Sequence, residues 1–401
     1  MIKHERSWYS NIPILSNDQV RVVLTLLISI FFFIASLEGV KNGFKLIFSE
    51  WQTGILAMVT SDTAAITGLA VGMLCTALVQ SSSAVVAGTM VSMAGMVSAG
   101  LPLTDAVRFG VPMVFGANIG TTITNTIVAF GVERGMTMDE FKDTIPGVIV
   151  DDVYEALTIT IFFTLELTTG FLSKTVLWLG NFYSNVLQLE GFFASFENSI
   201  VDIIVKEPII VPMKNILVST VGPKTGGVLM FLIWFGVIIL SMSMITKGLE
   251  KMIELEWEEK VKAAFDRPAR GWFTGFMITL IVGSSSIGTS LVIPFLATKV
   301  VDLKKAYPYL VGCNMATAVD FSQIYGYMAG GMTGMVLGSA HILLNIIAMI
   351  VWFISPLRFV PVAIAEWLGE KITHNQNVAF ALLIWVVGIF FVVPILIIYF
   401  L

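Results

Sequence analysis

Two runs of three serines, Ser81-Ser82-Ser83 and Ser284-Ser285-Ser286, stand in long stretches that carry no formal charge. Hydroxyls so placed have two uses. They pack neighbouring helices closely and bond back to the preceding turn, or they join the unpaired amides at a helix start as donors to an anion. Downstream of each triplet comes an oxygen-rich block: Gly116, Asn118, Thr121 and Thr122 after the first, Gly312, Asn314 and Thr317 after the second. Amide and hydroxyl oxygens, with carbonyls freed by a broken helix, are the hard ligands a small cation such as sodium takes. The plainer use of the same groups is hydrogen bonding between helices. A third cluster is ionisable. Asp151 and Glu155 share one helical face at i,i+4, and Asp152 lies three residues from Glu155. Like charges this close repel, so either a bound cation or a proton held on one of them is expected, unless the cluster is a wet helix end. His341, on an apolar helix, is a candidate proton-sensitive group, although a lone histidine there is more often a hydrogen-bonded core residue.

These groups need elements that fit a membrane. Of 401 residues, 56% are hydrophobic and 13% charged, against about a quarter charged in soluble domains. Thr63–Thr104, Phe109–Val132, Thr225–Thr246, Gly271–Thr298 and Val378–Leu401 contain no charged residue, and between Ala306 and Leu357 the one formal charge is Asp320. Crossing the hydrocarbon core takes roughly 20 apolar residues of helix. Continuous runs, instead of short alternating ones, make these helices and not barrel strands. The net charge of −5, without a basic run, gives no reason to expect nucleic acid. Met1–Arg21 is polar and lacks a cleavage site after an apolar core, so it does not read as a cleavable signal peptide. Cys75 and Cys313 both lie in apolar runs and read as small core residues. No enzyme constellation competes: the serines have no His/Asp partners in context, the three histidines are scattered, and no phosphate loop or zinc spacing appears.

An internal repeat organises the chain. Gly68-x-x-x-Gly72-x-x-x-Thr76-x-x-Val79-x-Ser81-Ser82-Ser83 returns 203 positions later as Gly271-x-x-x-Gly275-x-x-x-Thr279-x-x-Val282-x-Ser284-Ser285-Ser286. Pro112-x-x-x-Gly116-x-Asn118-x-x-Thr121 then matches Pro308-x-x-x-Gly312-x-Asn314-x-x-Thr317, and more weakly Asp151/Glu155 align with His341/Asn345. In the second copy the serines divide Gly271–Thr298 into arms of about 12 residues, each spanning about 18 Å, short of a roughly 30 Å core. A re-entrant hairpin with its serines near the midplane follows, and paired broken segments in two halves point to a transport site. Two such turns facing one another across a pseudo-two-fold axis would enclose a tetrahedral oxyanion without any arginine. The expected division is 1–61, tail and first membrane helix; 62–173, first repeat; 174–224, an extracytoplasmic loop region; 225–270, a membrane helix and charged linker; 271–357, second repeat; and 358–401, a C-terminal membrane helix region. An apolar segment is expected at Val22–Ala35, another helix at Thr144–Ser173 behind the helix-breaking pair Pro146-Gly147, and an amphipathic surface helix within Lys247–Arg270. Lys3, Arg6, Arg21 and that linker place the N-terminus in the cytoplasm.

On these motifs the chain resembles the type II sodium-dependent phosphate cotransporter family, including its bacterial members. Gln80-Ser81-Ser82-Ser83 and the run Gly116 to Ala129 carry the likeness, which extends over about Gly68–Ser173 and Gly271–Pro356. The resemblance implies an all-α polytopic membrane protein with two inverted-topology repeats, each holding a re-entrant helical hairpin, and a bacterial plasma (inner) membrane setting. It implies inorganic phosphate between the serine turns and sodium at the adjacent unwound segments, with the lipid bilayer as the other partner and no cofactor beyond sodium as coupling ion. The family's acidic position for a further sodium falls on Asp152, and Glu155 stands where an Asn is expected. The second copy departs, with Gly283 in place of Gln and Ala318 in place of a second Thr, which removes two oxygens. Ser81–Ser83 and Ser284–Ser286 are thus expected to hold the anion. Gln80, Asn118, Thr121, Thr122, Asn314 and Thr317 are expected to bind sodium, with Asp152 and Glu155 at a further cation site. The rival expectations are transport of another small anion, coupling to protons through His341 and the acidic cluster, and a membrane scaffold or regulatory protein that has lost transport.

Overall fold

The computed structural model describes residues 18–79, 81–122, 138–185, 202–253, 265–283, 285–290, 292, 296, 301–373 and 388–400, and the regular elements among them are all helical. Helices satisfy their own backbone polar groups, as so apolar a chain requires in lipid. In the first half, α1 (Asp18–Thr60), α2 (Ala64–Val79), α3 (Ser82–Ser98) and α4 (Leu103–Gly120) precede α5 (Met138–Thr169) and α6 (Phe171–Asn185). A π-helical segment, Asp202–Ile210, leads into α7 (Val211–Ile253). The second half holds α8 (Pro268–Val282), α9 (Ser285–Ser290), α10 (Leu303–Thr317) and α11 (Phe321–Met349), the last ending in a π-helical turn, Ile350–Ile354. Then follow α12 (Val360–Thr373), a π-helical Gly388–Val392 and α13 (Val393–Phe400).

Glycines set the closest contacts. A Cβ at Gly72 would lie 2.1 Å from the Met113 carbonyl oxygen and one at Gly116 2.0 Å from that of Leu69, so α2 and α4 touch backbone to backbone. In the other half, a Cβ at Gly275 would lie 2.1 Å from the Tyr309 oxygen and one at Gly312 2.0 Å from that of Trp272. Each residue of the second set is the repeat counterpart of one in the first, so the same interlock is built twice. Gly68 meets Phe109 at one end and Gly120 meets Thr76 at the other, which makes α2 and α4 parallel. Parallel neighbours need a return path, and α3 provides it. At 16 and 17 residues, α2 and α3 are about 24 and 26 Å long. Outside the repeats, α1 and α7 pair antiparallel, with Gly39, Gly43 and Gly227 seated against Trp234, Phe231 and Leu46.

Two long helices reverse within themselves. Gly222 (φ 80°, ψ 164°) breaks α7, and Gly226 then lies against Leu217. Gly331 (φ 56°, ψ −138°) breaks α11, after which Gly338 packs on the Tyr327 ring, whose hydroxyl lies 3.4 Å from the Gly338 oxygen. Those two residues would stand about 16 Å apart on a straight helix. Only glycine adopts such positive φ without strain. Among the described residues three stretches are apolar and long enough to cross a membrane, Val23–Ile47, Ile204–Ile238 and Leu303–Ile354, but the two reversals mean that the second and third are not straight rods. Polarity is distributed inside out. Ser81, Ser82, Ser83, Asn118, Asp151, Glu155, Asn314 and Asp320 are buried, while Leu240, Ile216, Trp178 and Ile354 are more than 60% exposed. An outer surface of this kind suits lipid.

Several boundaries differ from the sequence reading. α1 extends far beyond Val22–Ala35. α5 runs unbroken through Pro146, whose ring packs against Gly369 of α12, so a neighbouring helix seals the gap that proline leaves. The helix ends instead at Gly170 (φ 62°). The expected loop region 174–224 is helical in its described parts, because its charges, such as Glu207, face outward from otherwise apolar turns. The Gly-x-Asn-x-x-Thr blocks form the last turns of α4 and α10, and helix resumes close behind each, at Thr122 and at Phe321. Of the surface helix expected within Lys247–Arg270, residues 254–264 lie outside the described residues.

The interlock gives a stability prediction. Gly72→Ala and Gly275→Ala each force a methyl into a backbone carbonyl and should cost about 1–3 kcal/mol, whereas Gly236→Ala, with nothing within 4 Å of its Cβ, should be near neutral. Thermal unfolding of detergent-solubilised protein measures this, and equal midpoints for all three would count against the interlock.

Candidate functional site

The first serine turn is a helix junction. Ser81 is extended (φ −151°, ψ 112°) and caps α3, its Oγ accepting the Ala84 N–H at 3.3 Å. Its hydroxyl lies 3.3 Å from that of Ser83, and all three serines are buried. No acidic residue occupies the first turn of α3, so its positive end is uncompensated by the helix itself. Gln80 lies outside the described residues. The second turn is built differently. α8 ends at Gly283 in the left-handed region (φ 66°), and the short α9 begins at Ser285, which is buried. Ser284 lies outside the described residues, and Ser286 belongs to α9. Gly283 cannot be a glutamine here: its φ disfavours a side chain, and a Cβ would meet the Phe321 ring at 2.1 Å.

That contact brings the two turns together. Phe321 opens α11, and two residues later Gln323 donates from Nε2 to the Ser83 backbone carbonyl at 2.7 Å. The first turn of α11 therefore touches Ser83 in one turn and Gly283, the residue before the other triplet. Asp320 caps this turn, its Oδ1 accepting the Gln323 N–H at 3.1 Å, with the Ser83 hydroxyl beside the carboxylate. Asp320, Ser322 and Gln323 are all 0% exposed, yet Asp320 Oδ2, Ser322 Oγ and Gln323 Oε1 have no hydrogen-bond partner. Buried polar atoms without partners are costly, and the carboxylate and amide oxygens among them are hard ligands of the kind a cation takes. Sequence reasoning missed this cluster. Its signal was Asp320, the one formal charge between Ala306 and Leu357.

The remaining sequence candidates fall into two places. Asn118, Thr121 and Thr122 occupy the end of α4, where the threonine hydroxyls donate to the carbonyls of Ala117 (3.1 Å) and Ile119 (2.8 Å). Thr317 does the same to Asn314 (2.6 Å) at the end of α10. Their oxygens keep lone pairs for another ligand. Asn314 points across the molecule: its Nδ2 donates to Asp151 Oδ1 at 2.6 Å, both side chains buried. Asp151, read from sequence as one of three repelling charges, is thus bound by an amide from the other half. Glu155 is buried beside it with Oε2 unpartnered, whereas Asp152 is half-buried. Among the described residues no three His, Cys, Asp or Glu side chains converge as a metal cage. His341 is fully buried on the second arm of α11, away from α5, and neither ring nitrogen has a hydrogen-bond partner. Around Asp151, Trp352 Nε1 donates to Thr158 Oγ1 (3.0 Å), and the Tyr307 hydroxyl donates to the Trp352 carbonyl (2.9 Å).

Known proteins resemble this chain over most of its length. It is 25% identical to sodium-dependent phosphate transport protein 2B of Pongo abelii, across 93% of this chain and 64% of that protein. It is 24% identical to the 2A protein of Ovis aries, across 85% and 62%, and 24% identical to the human 2B protein, across 93% and 64%. The chain thus spans less than two thirds of the length of these relatives. No solved structure matches it. Residues 32–141 and 237–389, more than half of the chain and inclusive of both serine turns and both Asn blocks, match the Na+/Pi-cotransporter family. This membrane protein therefore belongs to the Na+/Pi-cotransporter family.

Proposed function

We propose that the protein is a sodium-coupled secondary transporter that imports inorganic phosphate by alternating access. The observation that carries this reading is the first turn of α11, which touches Ser83 and Gly283 and leaves three buried oxygens unpartnered. In this reading Ser81, Ser82 and Ser83, with the amides at the start of α3, hold one side of the phosphate. Ser284, Ser285 and Ser286 hold the other with their hydroxyls. Such donors fix a tetrahedral anion without a competing fixed cation, which allows release once the site reopens. Sodium in the first half is taken by Gln80, Asn118, Thr121 and Thr122. In the second half Asn314 and Thr317 are joined by Asp320, whose carboxylate replaces the oxygens lost at Gly283 and Ala318. Asp152 and Glu155 provide a further cation position. The relatives are named as sodium-dependent phosphate transport proteins, which supports both substrates.

The architecture in this proposal is two inverted repeats, 62–173 and 271–357, each with a re-entrant hairpin. Support comes from the doubled glycine interlock and from the lengths of α2 and α3, which fall short of a roughly 30 Å hydrocarbon core. In this reading the N-terminus lies in the cytoplasm, as the positive-inside rule favours, and the membrane is a bacterial inner membrane. A second reading, coupling to protons, rests on His341, whose two ring nitrogens are buried and unpartnered.

Reconstituted protein should accumulate labelled phosphate when an inward sodium gradient is imposed and should stop when potassium replaces sodium. Uptake driven equally well by a proton gradient alone would favour the His341 reading, and absence of oxyanion binding would favour a scaffold. Ser82→Ala and Ser285→Ala should each raise the phosphate KM, since a hydrogen bond to a charged ligand is worth about 1.5–3 kcal/mol, roughly tenfold or more. An unchanged KM in both would remove the serines from the site. Asp320→Asn should raise the half-saturating sodium concentration by a similar factor while leaving the protein folded; unaltered sodium dependence would exclude Asp320 as a ligand.

A further inference from the structure

Gln323 uses its amide unevenly. Nε2 donates to the Ser83 backbone carbonyl at 2.7 Å, a bond that joins residues 240 apart in the chain. This bond fixes which way the amide faces, because the flipped form would set Oε1 against another oxygen. Oε1 is then left without a donor, fully buried, in company with Asp320 Oδ2 and Ser322 Oγ in the same condition. The backbone N–H of the same residue donates to Asp320 Oδ1. One residue thus has its side-chain nitrogen on the serine turn and its backbone N–H on the Asp320 carboxylate, with its amide oxygen left over.

We propose that Gln323 couples the two substrates: Oε1 takes a sodium ion together with Asp320 Oδ2, and Nε2 transmits that binding to the first turn of α3. The inference rests on the transport reading above and specifies how its two sites communicate. A cation on the amide oxygen polarises the carboxamide and makes its N–H a stronger donor, so the Ser83 carbonyl is held more firmly. That carbonyl belongs to the turn whose hydroxyls and amides face the anion. Sodium therefore orders the phosphate site before phosphate arrives. Linkage makes the effect mutual, so phosphate must raise sodium affinity by the same factor.

A bolt that merely held α11 to α3 would weaken both affinities and leave their dependence on one another intact. The coupling proposal differs in what it moves. The phosphate KM of reconstituted wild-type protein is measured at low and at saturating sodium, and the ratio is expected to be roughly tenfold, within the usual range of coupled sites. Gln323→Leu, close in size and lacking both polar atoms, should bring the ratio near one. Gln323→Glu keeps an oxygen for the cation and loses the donor. It should bind radioactive sodium in detergent at least as tightly as wild type, and inorganic phosphate should no longer increase that binding; this variant decides the matter if Gln323→Leu does not fold. Wild-type ratios in both variants would overturn the inference alone. A wild-type protein whose phosphate uptake ignores sodium would overturn the transport reading and the inference with it.

Discussion

Where Gly72 and Gly116 meet across α2 and α4, the carbonyl of one helix occupies the volume that a Cβ would fill on the other, and Gly275 and Gly312 repeat the contact between α8 and α10. In lipid there is little hydrophobic drive between helices, so close van der Waals approach of small residues has to hold them. Much else follows from this contact. Because α2 and α4 run parallel in register, with Gly120 against Thr76, the ends of both helices arrive at the same depth. Hence the serine turn after Val79 and the Asn118–Thr122 turn share one level of the protein, although α3 and its loop separate them in sequence. Widening the contact would separate Ser81–Ser83 from Asn118, Thr121 and Thr122.

The buried oxygens make sense against that frame. Most polar side chains inside the molecule bond to a nearby carbonyl, as Thr89, Thr158 and Thr175 do, and need nothing further. Glu166, deep at the α5–α6 corner, accepts the N–H groups of Leu172 and Ser173 and so caps α6 across Gly170. Its charge is used up in structure. The Asp320 turn and Glu155 differ, since acceptors there are buried and remain unpartnered. Natural interiors rarely tolerate such groups unless a ligand completes them.

The repeat was legible in sequence because the glycines that make the interlock are themselves the repeated letters. The break at the serines was legible because the arms on either side of them in Gly271–Thr298 are too short to cross a membrane. Other features were hidden for physical reasons. Gly331 sits in an apolar run that reads as continuous helix, and nothing local announces a positive φ there. Pro146 reads as a stop, yet α12 packs onto its ring and the helix continues. The partners of Asn314 and Gln323 are 163 and 240 residues away, beyond any local pattern. Gly283 was visible as a departure, but its cause, the Phe321 ring, was not.

The halves have also exchanged parts. α5 lies in the first repeat by sequence, yet Asp151 and Thr158, two turns apart on it, are fastened to Asn314 and Trp352 of the second. The short arm 321–330 belongs to the second repeat, yet it is seated on α3 of the first, with Gly326 against Ala87 and Met90 and Gln323 on Ser83. Each copy lends the other a helix. Neither copy is therefore a self-contained body, and a cut through the central linker would leave each fragment with an empty seat and an unhoused helix.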